Sequence, residues 1–146
     1  MEFLPLSNIM SRGEKSISPR DLYLLQQPLV EALIEWRDSG STGQQLTEQS
    51  IMIDIDEKHI KILDASSDEA QNIASYGNIL FNAIDHSTLH DKRLRRIAEQ
   101  CASGEVANLE TLHLMLERMV SSTIYKLLLV IIITGIAILA IYQIIR

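Results

Sequence analysis

The chain has 146 residues, 47% of them hydrophobic and 22% charged, with a formal net charge of −6. About 125 residues remain once the apolar C-terminal end is set aside, which is enough for one small domain. The acidic balance and the lack of a long Lys/Arg run argue against a nucleic-acid partner. The single cysteine, Cys101, cannot form an intramolecular disulfide and is typical of a reducing compartment.

The C-terminal end carries the clearest pattern in the sequence. Residues 127–145 contain no charge, and a helix of this length, at about 1.5 Å per residue, crosses a hydrocarbon core of about 30 Å. Lys126 and Arg146 flank the segment, and Tyr125 and Tyr142 lie near the two expected interfaces, where amphipathic rings are favoured. The pattern predicts one transmembrane helix. The alternative is a core helix that is apolar all round, which so small a domain could hardly enclose.

This assignment divides the chain into a domain over residues 1–120, a juxtamembrane segment over 121–126 and the membrane helix over 127–145. The N-terminal end lacks a basic region followed by an apolar run, so no signal peptide is predicted. We therefore expect a single-pass membrane protein whose N-terminal domain is cytosolic. No pair of small residues four positions apart supports helix pairing within the membrane.

The domain begins with residues 1–17, whose breakers and polar side chains predict a loop with at most a short helix. Ser18 then supplies an N-cap and Pro19 the first helical position, followed by apolar residues at three- and four-residue steps. This pattern predicts an amphipathic helix that ends before Gly40. Pro28 lies inside the helix and is expected to kink or split it, because proline removes a backbone donor and clashes with the preceding turn.

The next part of the domain predicts a β-hairpin. Its two strands are the β-branched stretches at residues 51–55 and 59–63. Ile51, Ile53 and Ile55 share one face of the first strand, so that face is expected to pack on helices.

Three further helices are predicted after the hairpin. Apolar residues at helical spacing place two of them near 70–85 and 91–102. Asn108 can cap a last helix, which is expected to continue into the membrane span. The fold class predicted for the domain is mainly α, an α+β fold with one hairpin.

The order of these elements resembles the C-terminal lobe of a protein kinase, starting at the hinge between the lobes. The hinge and the two helices after it correspond to residues 1–33, and the catalytic loop corresponds to residues 43–54. The metal-binding strand and turn correspond to residues 60–66, and the helix after the activation segment to residues 73–81. The closing helices correspond to residues 94–101 and 109–112. The resemblance covers residues 1–119. It implies a kinase C-lobe-like helical domain with one β-hairpin, followed by the transmembrane helix.

The residues that carry kinase chemistry are replaced in this chain. In the family's H-R-D-L-x-x-x-N loop, the aspartate accepts the substrate hydroxyl proton and the asparagine holds a magnesium ion. The matching positions here are Gln45 and Ser50, and an amide cannot act as a general base. Asp64 alone matches the metal-binding aspartate, and too few residues follow it for an activation segment. The resemblance therefore implies a pseudokinase that is not an enzyme and has no catalytic residue, cofactor or metal.

Two other candidate sites are weaker. His86 and His90, with Asp85 and Asp91 beside them, could bind zinc if they shared one helix face. The residues between the histidines are expected to break the helix, so solvated loop histidines are the preferred interpretation and no metal site is predicted. Cys101 lies on the apolar face of its helix and is expected to pack as a small hydrophobe.

Three functional hypotheses follow. The first is an inactive adaptor or scaffold that recruits a protein partner at the membrane, because a lobe without its cover is expected to expose apolar surface near the hinge. The second is a tail-anchored helical protein of structural or membrane-assembly type, unrelated to kinases, that pairs through its last helix. The third is an enzyme whose missing lobe is encoded upstream of Met1, which the replacement at Gln45 disfavours. The bilayer is one expected partner, the protein partner is unidentified, and a homo-oligomer is left open.

Overall fold

The computed structural model describes residues 3–11, 17–54, 56–87 and 91–146, apart from the side chain of Thr123. Within these ranges the chain forms five helices and a three-stranded antiparallel sheet, which confirms the mainly helical α+β class. In chain order the elements are β1 (Leu4–Pro5), α1 (Leu6–Met10), α2 (Pro19–Asp38), β2 (Ile51–Asp54), β3 (His59–Ile62), α3 (Glu69–Asp85), α4 (Lys92–Ala102) and α5 (Leu109–Ile145).

The sheet has the strand order β1-β2-β3. Ile51 pairs with Ile62, which confirms the predicted hairpin, and Leu4 pairs with Ile53 on the other side of β2. Ile51 and Ile53 are buried, as their shared face predicts, whereas Ile55 lies outside the described residues. The strand β1 and the short helix α1 occupy part of the segment predicted as a loop with at most a short helix.

Helix α2 begins where the sequence predicts. The Ser18 hydroxyl accepts a hydrogen bond from the Asp21 backbone N–H at 3.1 Å, which satisfies one of the free donors of the first turn. The helix then runs unbroken through Pro28, so the prediction that this residue could split it is wrong. Leu25 and Leu29 are buried on either side of the proline. Their packing into one core holds both halves of the helix together despite the missing backbone hydrogen bond.

The helices meet around one buried polar contact. The Tyr76 hydroxyl donates a hydrogen bond to Gln26 Oε1 at 2.6 Å, and Gln26 Nε2 donates to the Leu22 carbonyl at 2.7 Å. Both side chains are buried, and burial raises the pKa of Tyr76 well above its usual value. The contact joins α2 to α3 without leaving a polar atom of either side chain unpaired.

Removing this hydroxyl is expected to destabilise the domain. Tyr76→Phe leaves Gln26 Oε1 buried without a donor, which costs about 1–3 kcal/mol of unfolding free energy. Urea unfolding of the full chain in detergent, followed by the fluorescence of its single tryptophan, Trp36, measures the loss. Tyr125→Phe is the matched control, because Tyr125 is 70% exposed and should change the unfolding midpoint little. Equal midpoints for the two variants would contradict the assigned role.

The last helix, α5, is anchored in the domain and continues far beyond it. Asn108 caps it, its Oδ1 accepting a hydrogen bond from the Thr111 N–H at 2.8 Å. Leu112 and Leu116 are buried, and this first part of α5 packs against α2. The helix then runs without interruption to Ile145, which confirms that the capped helix continues into the apolar segment.

An ionic cluster fixes the start of α5 to α2 and α3. Arg37 on α2 donates hydrogen bonds to Glu69 at 3.2 Å and to both carboxylate oxygens of Glu110. Glu69 also accepts a hydrogen bond from the Leu109 N–H at 2.7 Å, so it satisfies a free donor at the beginning of α5. The bonds from Arg37 lower the pKa of Glu110 to about 2.

This cluster predicts a specific acid sensitivity. The pKa of Glu110 is lower in the folded chain than its ordinary value of 4.5. The contribution of Glu110 to the free energy of unfolding is therefore complete above pH 4.5 and is lost as the pH falls toward about 2. We expect Glu110→Gln to flatten the dependence of the urea midpoint on pH in that window. Glu117→Gln, which neutralises an exposed carboxylate of the same helix, should keep the wild-type slope. A slope unchanged by Glu110→Gln would contradict the assignment.

Candidate functional site

The loop that contains Gln45 and Ser50 lies between α2 and β2. Gln45 is exposed there. Ser50 is buried, and its Oγ accepts a hydrogen bond from the Thr47 N–H at 2.8 Å and donates one to the Thr47 carbonyl at 2.9 Å. The Ser50 carbonyl accepts from the Leu63 N–H at 2.8 Å. Ser50 therefore closes a turn and holds the loop to Leu63, directly after β3.

Asp64 ties the other end of the same loop. Its Oδ1 accepts a hydrogen bond from the Gln44 N–H at 3.0 Å and so stabilises the turn at this point. A Cβ atom at Gly43 would overlap both the Asp64 carboxylate and the Ala65 carbonyl. Glycine at position 43 therefore permits the close approach of this loop to the Asp64 turn. Asp64 and Ser50 thus stabilise loop geometry at two different points.

Gln45 lines an open, polar cleft of about 470 Å³ between this loop and α3. Asn78 and Asn82 from α3 contribute amides, and Asn82 Nδ2 donates a hydrogen bond to Glu48 Oε1 at 3.0 Å. Glu48 is the single ionisable side chain among the described lining residues. Such a lining supplies hydrogen-bond donors and acceptors but no pairing of a nucleophile with a base. The cleft is therefore suited to binding a polar surface.

The connection that follows Asp64 is short, and its first two residues, Ala65 and Ser66, are buried. Asn72 on α3 donates to the Ser66 carbonyl and accepts from the Ser66 N–H, each at 2.8 Å. Trp36 Nε1 also donates to the Ser66 carbonyl, at 3.1 Å. The chain enters α3 at Glu69 directly after this turn. Residues 65–68 thus connect Asp64 to α3 through a turn held by side chains from two helices.

The remaining residues proposed from the sequence lie elsewhere. His86 is half-buried, with its Nδ1 at 2.7 Å from the Asn82 carbonyl, and His90 lies outside the described residues. Among the residues that the structure describes, no three His, Cys, Asp or Glu side chains are grouped so that they could hold a metal ion. Cys101 is buried, as predicted, and burial raises its pKa to about 12. It is therefore a neutral thiol at physiological pH.

The apolar surface of the domain is smaller than expected near the hinge. Before residue 124, the large apolar side chains that are exposed in the described chain are Leu24, Leu63 and Leu114, which belong to three separate segments. Leu4 and Ile60, on the sheet at the hinge, are partly buried against the core. Leu63, which follows β3 and is 53% exposed, is therefore an isolated apolar side chain rather than part of a broad patch.

The largest exposed apolar surface belongs to α5. Every large apolar side chain from Ile124 to Ile145 is between 48% and 83% exposed. The helix has a window with a mean hydropathy of 2.7, none of it buried, and is long and apolar enough to span a membrane. The one hydroxyl within residues 127–138, Thr134, donates to the Val130 carbonyl at 2.8 Å, so it needs no water.

The structure thus defines a small, mainly helical α+β domain on a helix long enough to cross a membrane. The chain matches no protein-family model, no curated protein and no solved structure. The loop around Gln45 and Ser50, the cleft beside it and the apolar helix are the features from which a function can be inferred.

Proposed function

We propose that this chain is a catalytically inactive, kinase-like adaptor that α5 anchors in a membrane, where its domain holds a partner protein. The observation that carries the proposal is the continuity of α5. The helix packs in the core through Leu109, Leu112 and Leu116 and leaves it as an exposed apolar helix without a break. One rigid element therefore belongs to both the domain and the anchor.

A bilayer is the environment that suits the exposed half of α5. Residues 127–145 extend about 28 Å along the helix axis, which is close to the thickness of a hydrocarbon core of about 30 Å. A helix satisfies its backbone hydrogen bonds internally, as the hydrocarbon requires. In water the same surface would leave a continuous apolar cylinder exposed, which soluble monomers avoid. The cytosolic placement of the domain is part of this proposal.

The contacts of the catalytic-loop counterpart favour binding over chemistry. Gln45 replaces the general base, the Ser50 hydroxyl is engaged with Thr47, and Asp64 is engaged with Gln44. We therefore expect the full chain to hydrolyse no ATP above background. A hydrolysis rate that Asp64→Ala abolishes would contradict this part of the proposal, because Asp64 is the one residue that matches a kinase metal ligand.

The cleft beside Gln45 is the partner surface in this proposal. Its amide-rich lining is open to solvent and can form hydrogen bonds with a polypeptide. A photo-crosslinking residue placed at Gln45 or Asn78 in the full chain, in intact membranes, is expected to capture a different protein. The same residue placed at Arg20, which is exposed on α2 and does not line the cleft, is the matched control.

The crosslinked products separate the functional hypotheses. A heterologous adduct from the cleft positions alone supports the adaptor. Adducts between copies of this chain would instead favour a homo-oligomeric structural or membrane-assembly protein. If the cleft positions gave no adduct that the Arg20 control lacks, this result would contradict the cleft as the partner surface.

A further inference from the structure

The domain has a basic face beside the point where α5 leaves it. A groove of about 770 Å³ lies between α4 and the second half of the buried part of α5. Five cationic side chains line it: Lys92, Arg93, Arg95, Arg96 and Arg118. Glu99 is the single carboxylate among its described lining residues. In a chain with a net charge of −6, this groove is a local reversal of charge.

Part of this positive charge is not neutralised by the domain itself. Arg93 pairs with Asp91 at 3.2 Å, and Arg95 pairs with Asp85 at 3.4 Å. The other three cationic side chains are exposed and form no ion pair with the residues that the structure describes; they are Lys92, Arg96 and Arg118. Lys92 and Arg96 belong to the basic run at residues 92–96 of α4, and the fold adds Arg118 from α5 to the same surface.

The groove also has apolar walls. Ile97 and Met119 are buried side chains that line it, and Met115 is half-buried beside them. Cationic and apolar groups therefore share one surface depression. A ligand that carries both an anionic group and an apolar group could pair with the cationic side chains and pack against the apolar walls.

The position of the groove along α5 places it close to the bilayer. Ser122 lines the groove and lies five residues before Leu127, about 7 Å along the helix axis. Arg118 lies about 13 Å before the same residue. The headgroup layer on each side of the hydrocarbon is about 5–8 Å thick. A long Arg side chain can extend toward that layer, and a tilt of about 20°, the average for membrane helices, would bring one side of the domain closer.

We propose that this groove binds the headgroup phosphate of an anionic phospholipid, with the glycerol and upper acyl chain against its apolar walls. The inference rests on the proposed membrane anchoring through α5. Negatively charged lipids of the cytosolic leaflet attract basic residues near a membrane span, and the attraction is screened by salt. Binding would hold α4 against the bilayer and fix the orientation of the domain on it.

Lipid selectivity of the full chain tests the proposal. The chain is reconstituted in phosphatidylcholine vesicles that contain spin-labelled phosphatidylglycerol or spin-labelled phosphatidylcholine, and the fraction of each label immobilised by the protein is measured. We expect a severalfold preference for phosphatidylglycerol at low salt. Arg96→Gln/Arg118→Gln is expected to reduce that preference roughly fivefold. Arg20→Gln/Lys61→Gln removes the same charge from exposed positions outside the groove and should leave the preference unchanged.

The possible failures are distinguishable. Equal immobilisation of both lipids by the wild-type chain would overturn the headgroup site and leave the anchor intact. No immobilised lipid of either kind would overturn the proposed anchoring. A preference that inorganic phosphate removes more effectively than chloride at equal ionic strength would identify a soluble anion as the ligand and also overturn the lipid assignment. If the wild-type chain showed no lipid preference and the Arg96→Gln/Arg118→Gln variant lost a protein that crosslinks to the wild-type chain, the groove would be assigned to a protein partner instead.

Discussion

Gly77→Ala is expected to destabilise the domain by about 2 kcal/mol, although alanine favours a helix interior more than glycine does. Gly77 is buried on α3 where this helix crosses α4. A Cβ atom would lie 2.6 Å from the Ala102 nitrogen, 2.7 Å from the Ala98 carbonyl oxygen and 2.9 Å from Cys101 Cβ. Two of these three atoms belong to the backbone of α4, so the whole helix must move. The overlap outweighs the gain of about 1 kcal/mol in helix propensity.

The matched control is the same substitution at Gly135. A Cβ atom there meets nothing within 4 Å, so Gly135→Ala should be neutral or slightly stabilising. Urea midpoints of the full chain in detergent, read from Trp36 fluorescence, compare the two variants. The close packing of α3 on α4 would be contradicted if Gly77→Ala and Gly135→Ala shifted the midpoint equally.

The substitution Ile132→Asp/Ile136→Asp is expected to release the chain from membranes. Each carboxylate near the middle of a span costs about 3 kcal/mol, so the pair costs about 6 kcal/mol. This is roughly four orders of magnitude in the membrane–water partition. Both side chains are exposed, at 58% and 62%, and lie beyond the domain core. The domain should therefore stay folded, which Trp36 fluorescence checks.

Carbonate extraction of membranes provides the measurement. The wild-type chain and the control Ile132→Leu/Ile136→Leu are expected in the pellet, and the aspartate variant in the supernatant. The control keeps the length and apolar character of the helix while changing the same two positions. Retention of the aspartate variant in the pellet with its Trp36 signal intact would show that another part of the chain binds the membrane.

Most helices of this fold could be predicted from local chemistry. Ser18, Asp68, Asp91 and Asn108 each accept a hydrogen bond from the backbone of the first turn that follows. The Ser18 and Asn108 caps were expected, and Asp68 and Asp91 lie near the two helix starts that the periodicity predicts. The apolar end of α5 could be predicted from composition alone, because nineteen uncharged residues in a row are long enough as a helix to span a membrane.

Other features depend on contacts that the sequence does not show. The strand β1 contains two residues, and it exists because Leu4 pairs with Ile53 far along the chain. Pro28 does not break α2, because Leu25 and Leu29 are buried on both sides of it. In each case tertiary packing outweighed a correct local preference.

The functional surfaces were harder to predict than the fold. Gln45 and Ser50 lie on the loop before β2 and Asp64 accepts a hydrogen bond from it, but the burial of Ser50 and its bonds to Thr47 appear only in the structure. The amides that line the cleft lie at helical spacing on α3, a polar pattern that could have indicated them. The basic groove has a linear signal in the four cations of residues 92–96, whereas Arg118 on α5 joins them only after folding.

The most direct test of membrane anchoring is the accessibility of the two ends of the apolar helix. Ser122→Cys and Arg146→Cys are made separately in the full chain, whose native Cys101 is buried and serves as the unlabelled background. A membrane-impermeant maleimide is applied to sealed vesicles, before and after permeabilisation. A transmembrane helix predicts that one variant is labelled in sealed vesicles and the other only after permeabilisation. Equal labelling of both variants in sealed vesicles would contradict a span.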